Sequence, residues 1–316
     1  MTKQEKPKVI VICGPTASGK TALGVELAKK INSEIISCDS MQIYKDMNIG
    51  TAKPTKEEMQ GIKHYLIDII SPNERFSVAD YKLEAKKAIK EILNKGKTPI
   101  IVGGTGLYLN SLIYEIEYPK IEFDEKYRKE LEERVKKEGL KTLYEEATKI
   151  DEEATKKISP NDEKRILRIL EIYKATGKNK TYQEKESRKK EVEYNYLVYG
   201  LNWDRQVLYD RINKRVDIMI KDGLIQEVED ILKKYKEFPT AMQGLGYKEV
   251  VEYLKKEITK EEMIEKIKME TRRYAKRQLT WFRANKQIIW LEGKEKIQNN
   301  IKIILEGLNW KKKNKR

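Results

Sequence analysis

The sequence predicts an α/β fold: a P-loop-type parallel sheet core flanked by helices, with an inserted all-helical lobe and a helical C-terminal region. Two observations predict it. Short apolar runs alternate with helix-length stretches through residues 1–118, the rhythm of βαβ units. The first run, Val9-Ile10-Val11-Ile12-Cys13, also passes straight into the turn Gly14-Pro15-Thr16-Ala17-Ser18-Gly19-Lys20-Thr21. In order, the pattern gives a strand over 8–13, a helix from residue 20 (Leu23, Leu27 and Ile31 recur at near-helical spacing), a strand over 34–38, a helix over 78–94 and a strand over 98–102 closed by Gly103-Gly104. Charged helices over 124–138, 140–149 and 162–175, with few β-branched runs, mark the inserted lobe, bounded as 119–195. Tyr196-Leu197-Val198-Tyr199-Gly200-Leu201 then returns as a strand, so 1–118 and 196–316 form one split core. Helices over 204–222, 224–234, 242–255 and 260–284 precede a last short strand over 287–291. The run Lys311-Lys312-Lys313-Asn314-Lys315-Arg316 is expected to fray, solvated or loosely touching phosphate.

Composition bounds the class. In 316 residues, 39% hydrophobic content suffices for a core and excludes a disordered chain. Cys13 and Cys38 both fall in apolar runs, with no CxxC pair and the single histidine His64, so packed thiols are expected and a structural zinc site is not. No apolar stretch approaches the roughly 20 residues that span a bilayer, and no apolar signal segment precedes the core, which predicts a cytoplasmic protein without a membrane partner. Charge is lopsided. Residues 1–120 carry 18 Lys+Arg against 14 Asp+Glu, residues 121–250 carry 29 against 28, and residues 251–316 carry 19 against 9. The middle segment is just as lysine-rich yet nearly neutral, so general lysine enrichment does not explain the basic end; a nucleic-acid backbone does.

The chemistry concentrates in a few motifs. Gly14–Thr21 fills every position of G-x-x-x-x-G-K-[ST] in the strand-to-helix context that pattern needs. Its glycines let successive N–H groups turn inward on an anion, Lys20 reaches the outer phosphate, and the Thr21 hydroxyl suits Mg²⁺. The loop therefore predicts a bound di- or triphosphate without saying which. Asp39, at the end of the second strand, falls beside that loop because ligands of open parallel sheets sit beyond the carboxyl ends of the strands. There it binds metal, takes a proton, or caps the following helix. Gly103-Gly104-Thr105-Gly106 ends another strand and permits close backbone approach. Toward the C-terminus, Arg273 and Arg277 lie one turn apart with Lys276 nearby, a basic helix face suited to phosphates, while Tyr274 and Trp281 read as core aromatics.

Taken together, Gly14–Thr21, Asp39-Ser40-Met41-Gln42-Ile43-Tyr44, Ile49–Pro54, Gly103–Tyr108, Asn161-Asp162-Glu163-Lys164-Arg165, Gln243-Gly244-Leu245-Gly246-Tyr247 and Lys276-Arg277-Gln278-Leu279-Thr280-Trp281 resemble the tRNA dimethylallyltransferase family, in order and spacing from residue 8 to 292. The resemblance implies transfer of the dimethylallyl group of dimethylallyl diphosphate to N6 of the adenine 3′ of the anticodon, position 37. Diphosphate leaves with Mg²⁺ as cofactor and the tRNA anticodon stem-loop as partner, and the enzyme is expected to be monomeric. It implies that the phosphate loop holds a prenyl diphosphate, that Thr16 and Arg215 also contact it, and that Asp39 accepts a proton from the adenine amine. The base must then be flipped into a channel beneath Thr105. Family tRNA contacts map to Asp39, Ser40, Met41, Gln42, Thr105, Arg128, Asn161, Asp162, Glu163, Lys164, Arg165, Gln243, Gly246, Tyr247 and Lys248; Lys164 stands where the family commonly has glutamine. Arg273, Lys276 and Arg277 are assigned to tRNA phosphates from the basic face itself. The rival reading is a small-molecule kinase with ATP on Gly14–Thr21. It lacks an arginine-rich lid and gives the basic C-terminus no task.

Overall fold

The computed structural model describes residues 5–118, 124–187 and 191–313. Strand β1 (Lys8–Cys13) leads into α1 (Lys20–Lys30), β2 (Ile35–Cys38), the one-turn α2 (Lys56–Met59), the two-residue β3 (His64–Tyr65), α3 (Val78–Asn94), β4 (Ile100–Gly103) and α4 (Gly106–Ile113). Then come α5 (Glu125–Glu138), α6 (Leu140–Ile150), α7 (Glu152–Thr155), α8 (Glu163–Thr176) and α9 (Lys180–Ser187). The chain returns through β5 (Asn195–Asn202), α10 (Arg205–Lys221), α11 (Leu224–Lys234), a 3₁₀ turn at Ala241–Gln243, α12 (Tyr247–Leu254), α13 (Lys260–Arg283), β6 (Ile289–Glu292) and α14 (Ile297–Lys313).

The six strands form one sheet in the order β3-β2-β4-β1-β5-β6, every adjacent pair parallel. A parallel sheet carries helices on both faces, so its inner strands read as unbroken apolar runs. Val9, Ile10, Val11 and Ile12 are accordingly all buried. Helices start where short polar side chains satisfy their first N–H groups. Ser77 accepts from the Asp80 amide and Asp80 from that of Ser77, and Thr259 and Glu262 repeat the device at α13.

The chain divides into two compact units, residues 1–109 with 193–316, and residues 110–192, the division falling within α4. The first holds the sheet. The second has its own core of Leu131, Leu143, Ala147, Ile166, Leu167 and Leu170. Within it, buried Asp151 caps α7 through the Ala154 amide and also accepts from the amide and hydroxyl of Thr181.

Helices α2, α4, α7 and α9 are not expected from the sequence pattern, and three further elements depart from it. The helix expected over 242–255 is broken, because Gly246 sits at φ +90 and a Cβ on Gly244 would come within 2.6 Å of the Met41 side chain. The terminal basic run also hides a helix. Ile297, Ile301, Ile304 and Leu308 recur at helical spacing and pack α14 onto the sheet core, with Lys311–Lys313 as its last turn; Asn314–Arg316 lie outside the described residues. Strand β3, only two residues long, carries too short a pattern to read.

Candidate active site

One rung of the sheet assembles the site. Gly103 pairs with Cys13 on one side and Cys38 on the other, and Cys13 pairs in turn with Gly200. The phosphate loop, Asp39 and Gly104 are the residues that follow this rung on three neighbouring strands, so motifs far apart in the chain emerge side by side. A Cβ on Gly103 would lie 2.1 Å from the Cys38 carbonyl oxygen, which restricts that position to glycine. Burial pushes both thiols up to about 12, so they are packed, unreactive groups.

The phosphate loop is tethered from outside. Arg211 Nε donates to the Ala17 carbonyl (2.8 Å), Trp203 Nε1 donates to the Ser18 carbonyl (2.9 Å), and the Arg211 guanidinium stacks on the Trp203 ring at 4.4 Å. On the other flank, Gln278 accepts from the Thr16 amide (2.9 Å) and donates to the Gly104 carbonyl (2.8 Å). Because carbonyl and N–H of one peptide plane point oppositely, anchoring the Ala17 and Ser18 carbonyls outward turns the following amides inward, as an anion cradle requires. Ala17 and Gly19 hold positive φ (61 and 91), the Ala17 conformation costing on the order of 1 kcal/mol. The glycines of the 103–106 turn likewise admit side chains from α13: a Cβ on Gly104 would meet Gln278 at 2.3 Å, and one on Gly106 would meet Trp281 at 2.3 Å.

A cavity of about 400 Å³ opens over this rung. Thr16, Lys20, Thr21, Asp39 and Arg215 line it together, as do Ser40, Met41, Gln42, Gln243, Gly246, Tyr247, Lys248 and Arg277. Lys20 Nζ donates to the Pro15 carbonyl (2.6 Å); burial, and then Arg215, pulls its pKa down to about 8, with Asp39 opposing. Burial also lowers Arg215, although a guanidinium stays charged at neutral pH. Asp39 is raised above the usual carboxylate range by burial, against the hydrogen bonds of Met41 and Gln42 and the charge of Lys20. Those two amides, at 2.9 and 3.3 Å, both bond to Oδ1, leaving Oδ2 for another partner. The expected helix cap is therefore a turn, since the next helix begins only at Lys56, and capping by one oxygen coexists with chemistry at the other. Thr105 accepts from the Ser40 amide (3.1 Å) and so fixes the start of this turn.

For a metal, Thr21 and Asp39 supply one hydroxyl and one carboxylate, and no group of three or more His, Cys, Asp or Glu gathers among the described residues. That donor set fits Mg²⁺, which keeps several waters and is bound by one or two protein oxygens together with substrate phosphates.

Other sequence-derived residues lie elsewhere. Arg273 is exposed and bonded to Glu270 (2.6 Å), and Lys276 is exposed; of the three α13 residues assigned to phosphates, only Arg277 reaches the cavity. Arg128, Asn161, Asp162, Glu163 and Lys164 line a separate cleft in the helical unit, where Arg128 bonds to Glu132 (2.8 Å) and Glu171 (3.1 Å). Arg165 is exposed beside Asp162 at 3.2 Å. Tyr274 and Trp281, expected in the core, are placed otherwise. Tyr274 lines the cavity, and Trp281 is 45% exposed over Gly106. Sequence reasoning missed Trp203, Arg211 and His64. His64 lines the cavity, with its Nδ1 on the Ile62 carbonyl (2.9 Å) and its pKa lowered by burial.

Residues 42–285 match the family model described as IPP transferase. The chain belongs to the IPP transferase family. A tRNA dimethylallyltransferase of Thermoanaerobacter sp. (strain X514) is 53% identical over 308 residues, covering 95% of this chain and 98% of its own length. One from Acetivibrio thermocellus is 51% identical over 303 residues, covering 94% and 97%. Among solved IPP transferase structures, the full-length tRNA isopentenylpyrophosphate transferase of Bacillus halodurans is 44% identical, with a TM-score of 0.73 and 98% and 99% of the two chains covered. A eukaryotic dimethylallyltransferase caught acting on tRNA is 30% identical, with a TM-score of 0.78 over 96% of this chain and 80% of its own. Family membership agrees with the resemblance carried by the sequence motifs and with the parallel-sheet fold.

Proposed function

We propose that this chain transfers the dimethylallyl group of dimethylallyl diphosphate to the exocyclic N6 of adenine 37 in the tRNA anticodon stem-loop, releasing diphosphate. The observation that carries the reading is the juxtaposition, in one cavity, of a phosphate cradle (Thr16, Lys20, Thr21, Arg215) and a desolvated carboxylate, Asp39. The relatives named above as tRNA dimethylallyltransferases support it.

The bond between the allylic carbon and the diphosphate oxygen breaks with its electron pair leaving on oxygen. The inward amides of the loop, Lys20 and Arg215 meet that growing charge as it forms. N6 of the adenine forms the new bond to carbon and loses a proton, which Asp39 accepts at Oδ2. An arylamine is a weak nucleophile, so a base of raised pKa facing it contributes directly to rate. Mg²⁺ held by Thr21 together with the substrate phosphates would supply further stabilisation of the diphosphate charge. A base stacked in the anticodon loop has to be turned out to enter such a cavity. The helical unit supplies further tRNA contacts from the Asn161–Arg165 stretch in this reading, and the enzyme works as a cytoplasmic monomer. Among the described residues, no helix is long and apolar enough to cross a membrane.

The test is incubation of the protein with isotopically labelled dimethylallyl diphosphate and unmodified tRNA, followed by nucleoside analysis. Label on N6 of adenine 37 is the expected result. ATP hydrolysis without label transfer would replace this reading with a P-loop kinase.

A further inference from the structure

Glu227, on α11, is absent from the cavity wall, yet four hydrogen bonds converge on its carboxylate. Oε2 accepts from the amides of Asn48 (2.9 Å) and Ile49 (2.7 Å), and Oε1 accepts from the amide of Gly50 (3.1 Å) and the hydroxyl of Tyr247 (2.6 Å). Three consecutive amides turned on one anion form a nest, and with the phenol they use the carboxylate's full accepting capacity. The contact also demands glycine at 50, where a Cβ would lie 2.5 Å from the Tyr247 ring. The loop is fastened again one turn further on. Lys53 Nζ, its side chain almost fully buried, donates to the Tyr44 carbonyl (2.7 Å) and to Asn48 Oδ1 (2.9 Å), and pairs with Asp68.

What Glu227 holds is cavity wall. Gly50, Thr51 and Ala52 line the cavity from one side and Tyr247 from another. The carbonyls of Thr51 and Ala52 accept from Gln42 Nε2 (3.3 and 3.2 Å), and the Gln42 amide donates to Asp39 Oδ1. A short chain of bonds thus runs from Glu227 through the loop and Gln42 to Asp39. The phosphate loop is held by other residues, Trp203, Arg211 and Gln278. We propose that Glu227 is a positioning residue for the acceptor-base end of the site: it fixes the 48–52 loop and Tyr247 as one wall, and so sets the space the adenine enters, without touching either substrate. This rests on the reading that the cavity accepts an adenine of tRNA.

Glu227→Gln and Tyr247→Phe, singly and combined, test it. Glutamine keeps the shape but turns an NH₂ toward N–H donors. It should lower kcat/KM for tRNA by about 10- to 100-fold, as expected when a reacting group is displaced by a fraction of an ångström to an ångström. Affinity for dimethylallyl diphosphate, measured calorimetrically in the absence of RNA, should stay within about twofold of wild type, since uniform binding at the phosphate end is untouched. Tyr247→Phe should lose less in the same direction, and the double variant should be no worse than Glu227→Gln alone, because both remove one shared network. Glu227→Asp, which keeps the charge, should recover part of the loss. Equal losses toward both substrates, or additive losses in the double variant, would show that Glu227 only stabilises the fold. Should Glu227→Gln not fold, Tyr247→Phe alone carries the same contrast between substrates. A wild-type protein that transfers no label to tRNA overturns the functional reading and this assignment with it, whereas an active wild type with an even loss in the variants overturns this assignment alone.

Discussion

In the helical unit, Arg128 is pinned by Glu132 and Glu171, Arg134 by Glu138 and Glu146, and Lys157 and Lys185 both meet Glu153. In the cavity of the α/β unit, by contrast, Lys20, Arg215 and Arg277 form no ion pair among the described residues, although Asp39 lines the same space. Pairs spaced four residues apart on exposed helices are ordinary surface stabilisation, each contributing a few tenths of a kcal/mol. Charges desolvated in a cavity without being locked into ion pairs raise the free energy of the ligand-free protein. The lowered pKa of Lys20 and the raised pKa of Asp39 record that cost. The difference teaches where to look: one unit spends its charge on itself, and the other keeps charge in reserve for something that arrives.

The contrast breaks most directly at Asp39. Replacing it by asparagine should lower turnover by about 10²–10⁴, the usual range for a general base. Stability should move oppositely. A carboxyl whose pKa is higher folded than unfolded makes folding less favourable as pH rises through the ordinary carboxylate range, and that penalty persists at neutral pH. Asp39→Asn should therefore raise the thermal midpoint of the ligand-free protein at pH 7 and leave it nearly unchanged at pH 3. A variant both less active and less stable at pH 7 would mean that the carboxylate serves structure.

Next in size is a proton count. With Lys20 near 8 in the empty cavity, a fraction of the lysines are neutral at pH 8, and a bound diphosphate restores the charge. Diphosphate binding at pH 8 should take up protons, visible as calorimetric heats that vary with the ionisation enthalpy of the buffer. The uptake should fade toward pH 6.5, where Lys20 is already charged, and vanish in Lys20→Ala.

The smallest effects compare the two units through salt. Neutralising Arg273, Lys276 and Arg277 together should reduce the slope of log binding constant against log salt by about two for tRNA, Arg273 being partly committed to Glu270. Arg128→Ala should leave the slope unchanged and cost about 1 kcal/mol of stability, since its partners are already in place. A slope change of about one for Arg128 would show that it leaves its carboxylates for a phosphate, and the contrast would fall.

The phosphate loop and Asp39 were legible because their chemistry is contiguous: eight residues specify the cradle, and the carboxylate follows a readable strand. The sheet was legible for a similar reason, in unbroken apolar runs. The tethers were not. Gln278 reaches Thr16 across 262 residues, Arg211 reaches Ala17 across 194, and Glu227 reaches Gly50 across 177. Each is an ordinary polar residue on a helix, and even Gln278, inside the 276–281 motif, carries no local sign of the residue it reaches. Gly50, Gly104 and Gly106 were the outward sign of such partners, since each glycine is where another side chain comes in, but a glycine does not say which one. Helix α14 had a readable period and was obscured by the lysines at its end.

The shared rung of Cys38, Gly103, Cys13 and Gly200 has a consequence for what this architecture tolerates. Because each functional segment is indexed to its own strand end, the arrangement is insensitive to how much chain lies between one strand and the next, and all of residues 110–192 can be spliced between β4 and β5 without altering the index. It is unforgiving in the other direction. Adding or deleting a single residue inside β1, β2 or β4 shifts one segment by about 3.3 Å and turns it to the opposite face. Length variation in such an enzyme belongs in its connections, while its strands must be counted to the residue.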